Sequence, residues 1–146
     1  MSRPAHARKL EPNNLADRVA GLDWARIGGE LDAHGCATTG ALLSADECAA
    51  LSSRYDADGI YRSRVIMARH GFGRGEYKYF SYPLPDTVAA LRTALYPSLA
   101  DVANRWNEQM GLEQRFPTDH AAYLKRCHAA GQVKPTPLLL QFGTGH

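Results

Sequence analysis

The chain has no long apolar run, no Cys-x-x-Cys pair, no internal repeat and no low-complexity segment. Its uninterrupted apolar stretches are only a few residues long, Leu138-Leu139-Leu140 among them. A membrane-spanning helix needs roughly 18 or more, so none is expected. The opening stretch, MSRPAHARKLEPNN, carries charge with no apolar segment behind it, so no secretory leader is expected either. The three cysteines, Cys36, Cys48 and Cys127, are odd in number and widely spaced, which builds neither a disulfide framework nor a zinc site. Each has apolar neighbours and is expected as a small buried hydrophobe. A reducing, cytoplasmic home follows as the default.

Several catalytic signatures are missing too. There is no phosphate-binding Walker loop and no Gly-x-Ser-x-Gly elbow. GFGRGEY has glycines at alternate positions, but no helix follows and no βαβ frame surrounds it. A nonhaem iron centre takes two histidines and a carboxylate, with positions left open for other ligands. Its local signature is His-x-Asp or His-x-Glu, because alternation along a strand aims both ligands one way. The residues two beyond the histidines are Arg8, Cys36, Phe72, Ala122 and Ala130, and His146 is the last residue. No such pair exists in the sequence. His120 and His128 share an expected helix but lie two turns apart, too far to share a metal.

What is present is an ordinary globular composition. The 146 residues are 45% hydrophobic and 22% charged, with a net charge of +2. That suits one domain with a real core. Residues 1–22 are expected as a mobile N-terminal tail, and residues 23–146 as the domain. Asp23 caps a helix with Trp24, Ile27 and Leu31 on one face, ended by Gly35. Cys36 to Thr39 reads as a short strand. Ser44-Ala45-Asp46-Glu47 is a capping-box pattern with Leu43 and Cys48 placed as a hydrophobic staple, opening a helix to about Tyr55. That helix is expected to bury Cys48, Leu51 and Tyr55.

Residues 60–67 are rich in β-formers, HGFGRG breaks any helix, and EYKYFSY alternates, so a hairpin or mobile arm is expected. Asp86 caps a helix with Val88, Leu91 and Leu95 inward. Pro97 should kink or restart it, before Leu99, Val102, Trp106 and Met110 continue one apolar face to Gly111. A further helix starts near Thr118, turns Leu124 and Cys127 inward and stops at Gly131. Pro135 to Phe142 reads as a strand entering a buried sheet.

Charge concentrates in residues 61–80. Arg62, Arg64, Arg69, Arg74 and Lys78 stand there against one acid, Glu76. Interleaved with Tyr77, Tyr79 and Phe80, they form the kind of surface that grips phosphates and stacks bases, and equally any anionic substrate. A solvated hairpin with packed tyrosines is the plainer reading of the same residues.

Several ordered blocks resemble a bacterial 2-oxoglutarate/Fe(II)-dependent oxygenase family described as AlkB-like. They are Tyr61-Arg-Ser-Arg-Val-Ile-Met67, His70-Gly-Phe-Gly, Gly75-Glu-Tyr-Lys-Tyr-Phe80 and Tyr82-Pro-Leu-Pro85. Ala103-Asn-Arg-Trp106, Cys127-His-Ala-Ala-Gly-Gln132 and Pro135-Thr-Pro-Leu-Leu-Leu140 complete the series. The resemblance covers roughly residues 23–146. It implies an α+β fold, in which a helix-rich N-terminal part precedes the first strands of an incomplete double-stranded β-helix, or jelly roll. It also implies Fe(II) and 2-oxoglutarate as cofactors of the intact family, and oxidative demethylation of damaged nucleic acid as the activity. In that family Gln141 to Gly145 resembles the strand leading into the His-x-Asp turn, so the chain is expected to stop short of the iron ligands. This chain alone is then expected to bind neither cofactor and to have no catalytic residue.

On the resemblance, Arg62, Arg64, Arg69 and Arg74 position phosphate or another anion, Lys78 adds charge, and Tyr77, Tyr79 and Phe80 form a substrate lid. Phe142 stands where relatives often carry a tyrosine at the 2-oxoglutarate site, and would supply a wall without a donor. The alternative is a non-enzymatic nucleic-acid or anion-binding module built on residues 61–80. Half a jelly roll leaves Leu138, Leu139, Leu140 and Phe142 without an opposing sheet, at about 1.5–3 kcal/mol for each bulky side chain left exposed. The purified chain is therefore expected to aggregate or to melt over a broad range. A sharp cooperative calorimetric transition from a monomer would count against this.

Overall fold

The computed structural model describes residues 14–71 and 73–142. Residues 1–13, Phe72 and residues 143–146 lie outside it, and with them most of the expected tail and the end of the strand assigned to the iron turn. The chain divides into two compact units. The first comprises Met1–Leu42 with Ala89–Gly131, and the second Leu43–Val88 with Gln132–His146.

In the first unit, α1 (Leu15–Ala20) lies within the stretch expected as tail. Asn14 caps it, its side-chain oxygen accepting from the Asp17 amide at 2.8 Å. Leu15 and Val19, one turn apart, are buried. That burial orders a segment whose composition reads as polar.

Asp23 caps α2 (Trp24–His34) as expected, and Gly35 ends it at φ +74°, a conformation glycine adopts at no steric cost. The Trp24 indole N–H donates to the Val19 carbonyl at 2.9 Å, joining the two helices. Cys36 to Thr39 forms no strand. Instead the Thr38 carbonyl accepts from the Arg26 guanidinium at 3.0 Å, so a side chain occupies a group that a neighbouring strand would need.

Pro97 does not interrupt α4 (Asp86–Gln109), which is assigned as one helix. Proline removes a single main-chain donor there, while tertiary bonds hold the C-terminal half. The Asp32 carboxylate accepts from the Arg105 guanidinium at 2.9 Å and from the Trp106 indole at 2.6 Å. The Asn104 side chain bonds the main chain of Phe116 in both directions, at 3.0 and 2.6 Å. Ala100 and Val102 are buried, whereas Leu99 and Met110, expected on the inner face, are exposed. Asp119 caps α5 (His120–Ala129), one residue beyond the expected start. The Tyr96 ring stacks on Tyr123 at 5.5 Å and meets the edge of His120 at 5.4 Å.

In the second unit, Ser44 and Glu47 make the full capping box that opens α3 (Ala45–Ser53), at 3.1 and 2.8 Å. Tyr55, just past the helix, is buried. β1 (Tyr61–Ile66), β2 (Glu76–Phe80) and β3 (Leu138–Gln141) form an antiparallel sheet in that order. The hairpin expected for residues 60–82 is present. A 3-10 turn, Met67–His70, and a glycine-rich loop connect its strands. The expected buried strand at the C-terminal end is instead an outer strand, with Leu138, Leu140 and Phe142 at 37%, 50% and 57% exposure.

The cysteines also differ from expectation. Cys36 and Cys48 are exposed and Cys127 is half-buried. Apolar sequence neighbours do not bury a residue that its helix or loop turns outward.

Gly75 is the tightest backbone position of the hairpin. Its φ is +108°, and a Cβ there would lie 2.8 Å from the Phe142 ring and 2.9 Å from the Gln141 carbonyl oxygen. Gly75→Ala is therefore expected to lower stability by more than about 1 kcal/mol, read as a fall in the urea midpoint against the parent chain.

Candidate nucleic-acid interface

Antiparallel register sorts the side chains of the second unit onto two faces. Arg64, Lys78 and Leu139 stand opposite one another, as do Ile66, Glu76 and Gln141. The other face carries Ser63, Val65, Tyr77, Tyr79, Leu138 and Leu140. An irregularity in the pairing between Tyr61 and Ser63 breaks the alternation. Tyr61 thereby stands opposite Phe80, and the two rings stack at 5.2 Å. Arg62 is turned the other way, its guanidinium 4.4 Å from the centre of the Tyr79 ring.

On the first face, Glu76 organises the polar groups. Its carboxylate accepts from the Tyr55 hydroxyl at 2.7 Å and from Arg64 at 2.8 and 3.2 Å. Lys78 donates to the Tyr55 carbonyl at 2.7 Å, and its ammonium lies 4.2 Å from the Tyr55 ring centre and 5.2 Å from that of Tyr61. The bonds from Arg64 and Tyr55 hold the Glu76 carboxyl below its ordinary range. Burial, and then the bond to Glu76, push the Tyr55 phenol upward.

The eight substrate-contact candidates thus separate. Arg62 donates to the Pro135 carbonyl at 2.8 Å as well as covering Tyr79. Arg64 and Lys78 are held by Glu76 and Tyr55. Phe80 is 0% exposed, so its ring is a core group and not part of a substrate lid. Its strand position puts it on the covered face, where it packs on Tyr61.

Tyr77 and Tyr79 lie half-buried on the other face, edge to face at 5.6 Å. Arg69 and Arg74 are exposed, in the 3-10 turn and the loop after it. Arg74 borders a pocket of about 410 Å³ with Ile66, Ala68, Gly75, Glu76 and Gln141. Tyr55 and Tyr61 were not among the sequence candidates. Their one signal is Glu76, the lone acid in a basic stretch, which calls for partners.

Phe142 lies against Gly75 and lines a groove of about 450 Å³ with Leu43, Cys48, Leu51, Tyr55 and Leu139 among its walls. No arginine or lysine lines that groove. A dicarboxylate such as 2-oxoglutarate needs a cationic partner once taken from water, so these residues do not fit it. Among the described residues, no group of three or more His, Cys, Asp or Glu side chains is arranged to hold a metal ion. Among the described residues, no helix is long and apolar enough to cross a membrane.

Residues 75–146 match the model of a family described as an oxygenase catalysing oxidative methylation of damaged DNA. The match begins one residue before β2 and takes in β2, α4, α5 and β3.

Two curated proteins of Mycobacterium tuberculosis are similar to it. They are Uncharacterized protein MT2286 of strain CDC 1551 / Oshkosh and Uncharacterized protein Rv2227 of strain ATCC 25618 / H37Rv. Each is 40% identical over 93 residues, which is 60% of this chain and 40% of the relative. The chain thus spans about 40% of the length of these relatives. No solved structure matches it.

Glu76 generates the prediction for this region. Its pKa is lowered in the folded state, so its contribution to stability is present above the unfolded value of 4.5 and is lost as pH falls through the folded value. Glu76→Gln is expected to lower stability at pH 7 and to flatten the loss of stability below about pH 4.5, measured by urea unfolding across pH. An unchanged acid limb in the variant would show that other carboxylates carry it.

Proposed function

We propose that this chain is the N-terminal, substrate-side part of a 2-oxoglutarate/Fe(II)-dependent dioxygenase acting on alkylated nucleic acid. On this reading its three strands open a double-stranded β-helix, and the iron ligands lie outside this chain. The observation that carries the proposal is the family match over residues 75–146, which spans the central strand β2 and the outer strand β3. The absence of any His-x-Asp or His-x-Glu pair from the sequence supports inactivity of the chain alone. The 40% span of the curated relatives supports its being one part of a longer enzyme.

Within this chain, the division of labour follows from geometry. On this reading the exposed guanidiniums of Arg62, Arg64, Arg69 and Arg74 meet phosphates. Tyr77 and Tyr79 offer aromatic surface to a base, with Arg62 fixing the orientation of Tyr79. Glu76, by holding Arg64, sets the sheet that carries them. The cytoplasm is the compartment this activity calls for.

Fluorescence anisotropy with a labelled oligonucleotide tests the binding half. Affinity should fall steeply with salt, because each neutralised phosphate releases counterions. Arg69→Ala with Arg74→Ala should reduce the log–log salt slope by about two. Succinate formation from 2-oxoglutarate and Fe(II) tests the catalytic half, and none is expected. Salt-independent binding would sink the nucleic-acid reading, and turnover by this chain would sink the partial-enzyme reading.

A further inference from the structure

Among the described residues, α5 is the one α-helix that carries cations and no acid. Its inner side is held against α4, where the Tyr123 ring stacks on Tyr96. The Tyr96 hydroxyl also donates to the Pro117 carbonyl, just before the helix, at 2.8 Å. On the other side Ala121, Ala122, Lys125, Arg126, His128 and Ala129 are exposed. At 3.6 residues per turn, Lys125 stands near the middle of that face, with Arg126 and His128 to either side. Alanines fill the rest, so the helix axis can come close to an extended partner.

A merely solvated helix face gains support by setting a carboxylate three or four residues from a cation. In α2, Arg26 pairs in this way with Glu30 at 3.0 Å, and Arg105 of α4 pairs with Asp32 at 2.9 Å. In α5 the residues four before and four after Lys125 are Ala121 and Ala129, and those around Arg126 are Ala122 and Ala130. Cations near a helix end can also bond its last carbonyls. Arg126 does not do this, because its guanidinium donates to the Arg115 carbonyl, ahead of the helix, at 2.9 Å. Arg115 is exposed too, and its guanidinium bonds the main-chain carbonyls of Leu112 and Gln114. Among the described residues no carboxylate pairs with Arg115, Lys125 or Arg126. The acids nearest in sequence are Glu113 and Asp119. The Asp119 carboxylate caps the start of α5, accepting from the Ala122 amide at 2.8 Å.

We propose that the outward face of α5, with the adjoining Arg115, is a second contact for nucleic acid, holding the sugar–phosphate backbone through Arg115, Lys125 and Arg126. The inference rests on the nucleic-acid reading above and extends it from the hairpin to the first unit. Cations without a carboxylate partner keep their full charge for phosphates, and each phosphate they neutralise releases counterions. Contacts of this kind position a strand without reading its sequence. A phosphodiester chain is favoured over an acidic protein because residues 61–80 of the same chain carry another cationic surface.

Fluorescence anisotropy of the full chain with labelled oligonucleotides of two unrelated sequences, over a salt series, tests this. Lys125→Gln should lower the log–log salt slope by about one, and Lys125→Gln with Arg126→Gln by about two. Both losses should be the same on the two sequences, and Lys125→Arg should keep the parent slope. A parent slope that persists in both glutamine variants overturns the inference and leaves the hairpin reading standing. A parent chain that does not bind, or binds without salt dependence, overturns both. A loss confined to one sequence, or one as large in Lys125→Arg, also overturns the inference. So does displacement of the probe by polyglutamate as readily as by unlabelled oligonucleotide at equal charge, which marks an acidic protein as the occupant. Far-ultraviolet circular dichroism verifies that each variant keeps its helices, and Lys125→Gln alone carries the test if Arg126→Gln does not.

Discussion

The second unit is organised around the Glu76 carboxylate. In a segment with an excess of positive charge it is the lone acid, and it accepts from both Tyr55 and Arg64. Through Tyr55 it joins the end of α3 to the central strand of the sheet. Through Arg64 it joins β1 to β2. Lys78, next but one along β2, closes the same group by bonding the Tyr55 carbonyl. A carboxylate holding a phenol and a guanidinium makes charge-assisted bonds, the stronger kind. Much of the segment's cationic character is thereby spent on holding the fold together.

That arrangement gives three of the segment's cations partners within the second unit. Arg64 and Lys78 are engaged with Glu76 and Tyr55, and Arg62 with Tyr79 and Pro135. Arg69 and Arg74, exposed like Arg62 and Arg64, lie between β1 and β2. The loop's close approach to the C-terminal strand depends on Gly75, where no side chain fits beneath the Phe142 ring. The family match begins at this glycine. Phe142 lines a groove with Leu43, Leu51 and Tyr55. Among the described residues that groove has no cation in its lining to pair with a dicarboxylate.

Helix starts were legible because capping is a local matter. Asp23 and the Ser44–Glu47 box act within one turn of their own helices, and both stand where spacing put them. The alternation of EYKYF was legible for the same reason, since strand geometry sends successive side chains to opposite faces. The cysteine expectation failed because burial depends on what lies across from a residue, not beside it in sequence. The strand expected at Cys36 to Thr39 had the right propensity and no neighbour to bond with. The α1 helix was missed because its burial of Leu15 and Val19 is invisible in a polar stretch.

The candidate site divides along the same line. The sequence by itself determined which residue types are gathered in residues 61–80, that they lie on a hairpin, and that no His-x-Asp pair is present. Those are properties of composition, spacing and local geometry. Only the tertiary structure decided which partners those residues take. It put Phe80 in the core, tied Arg64 and Lys78 to Glu76 and Tyr55, and left Arg69 and Arg74 on the surface. An irregularity in strand pairing at Arg62 and a contact with Tyr55, 21 residues away from Glu76 in sequence, made those choices. Both depend on what the chain meets when it returns on itself, which no local pattern records.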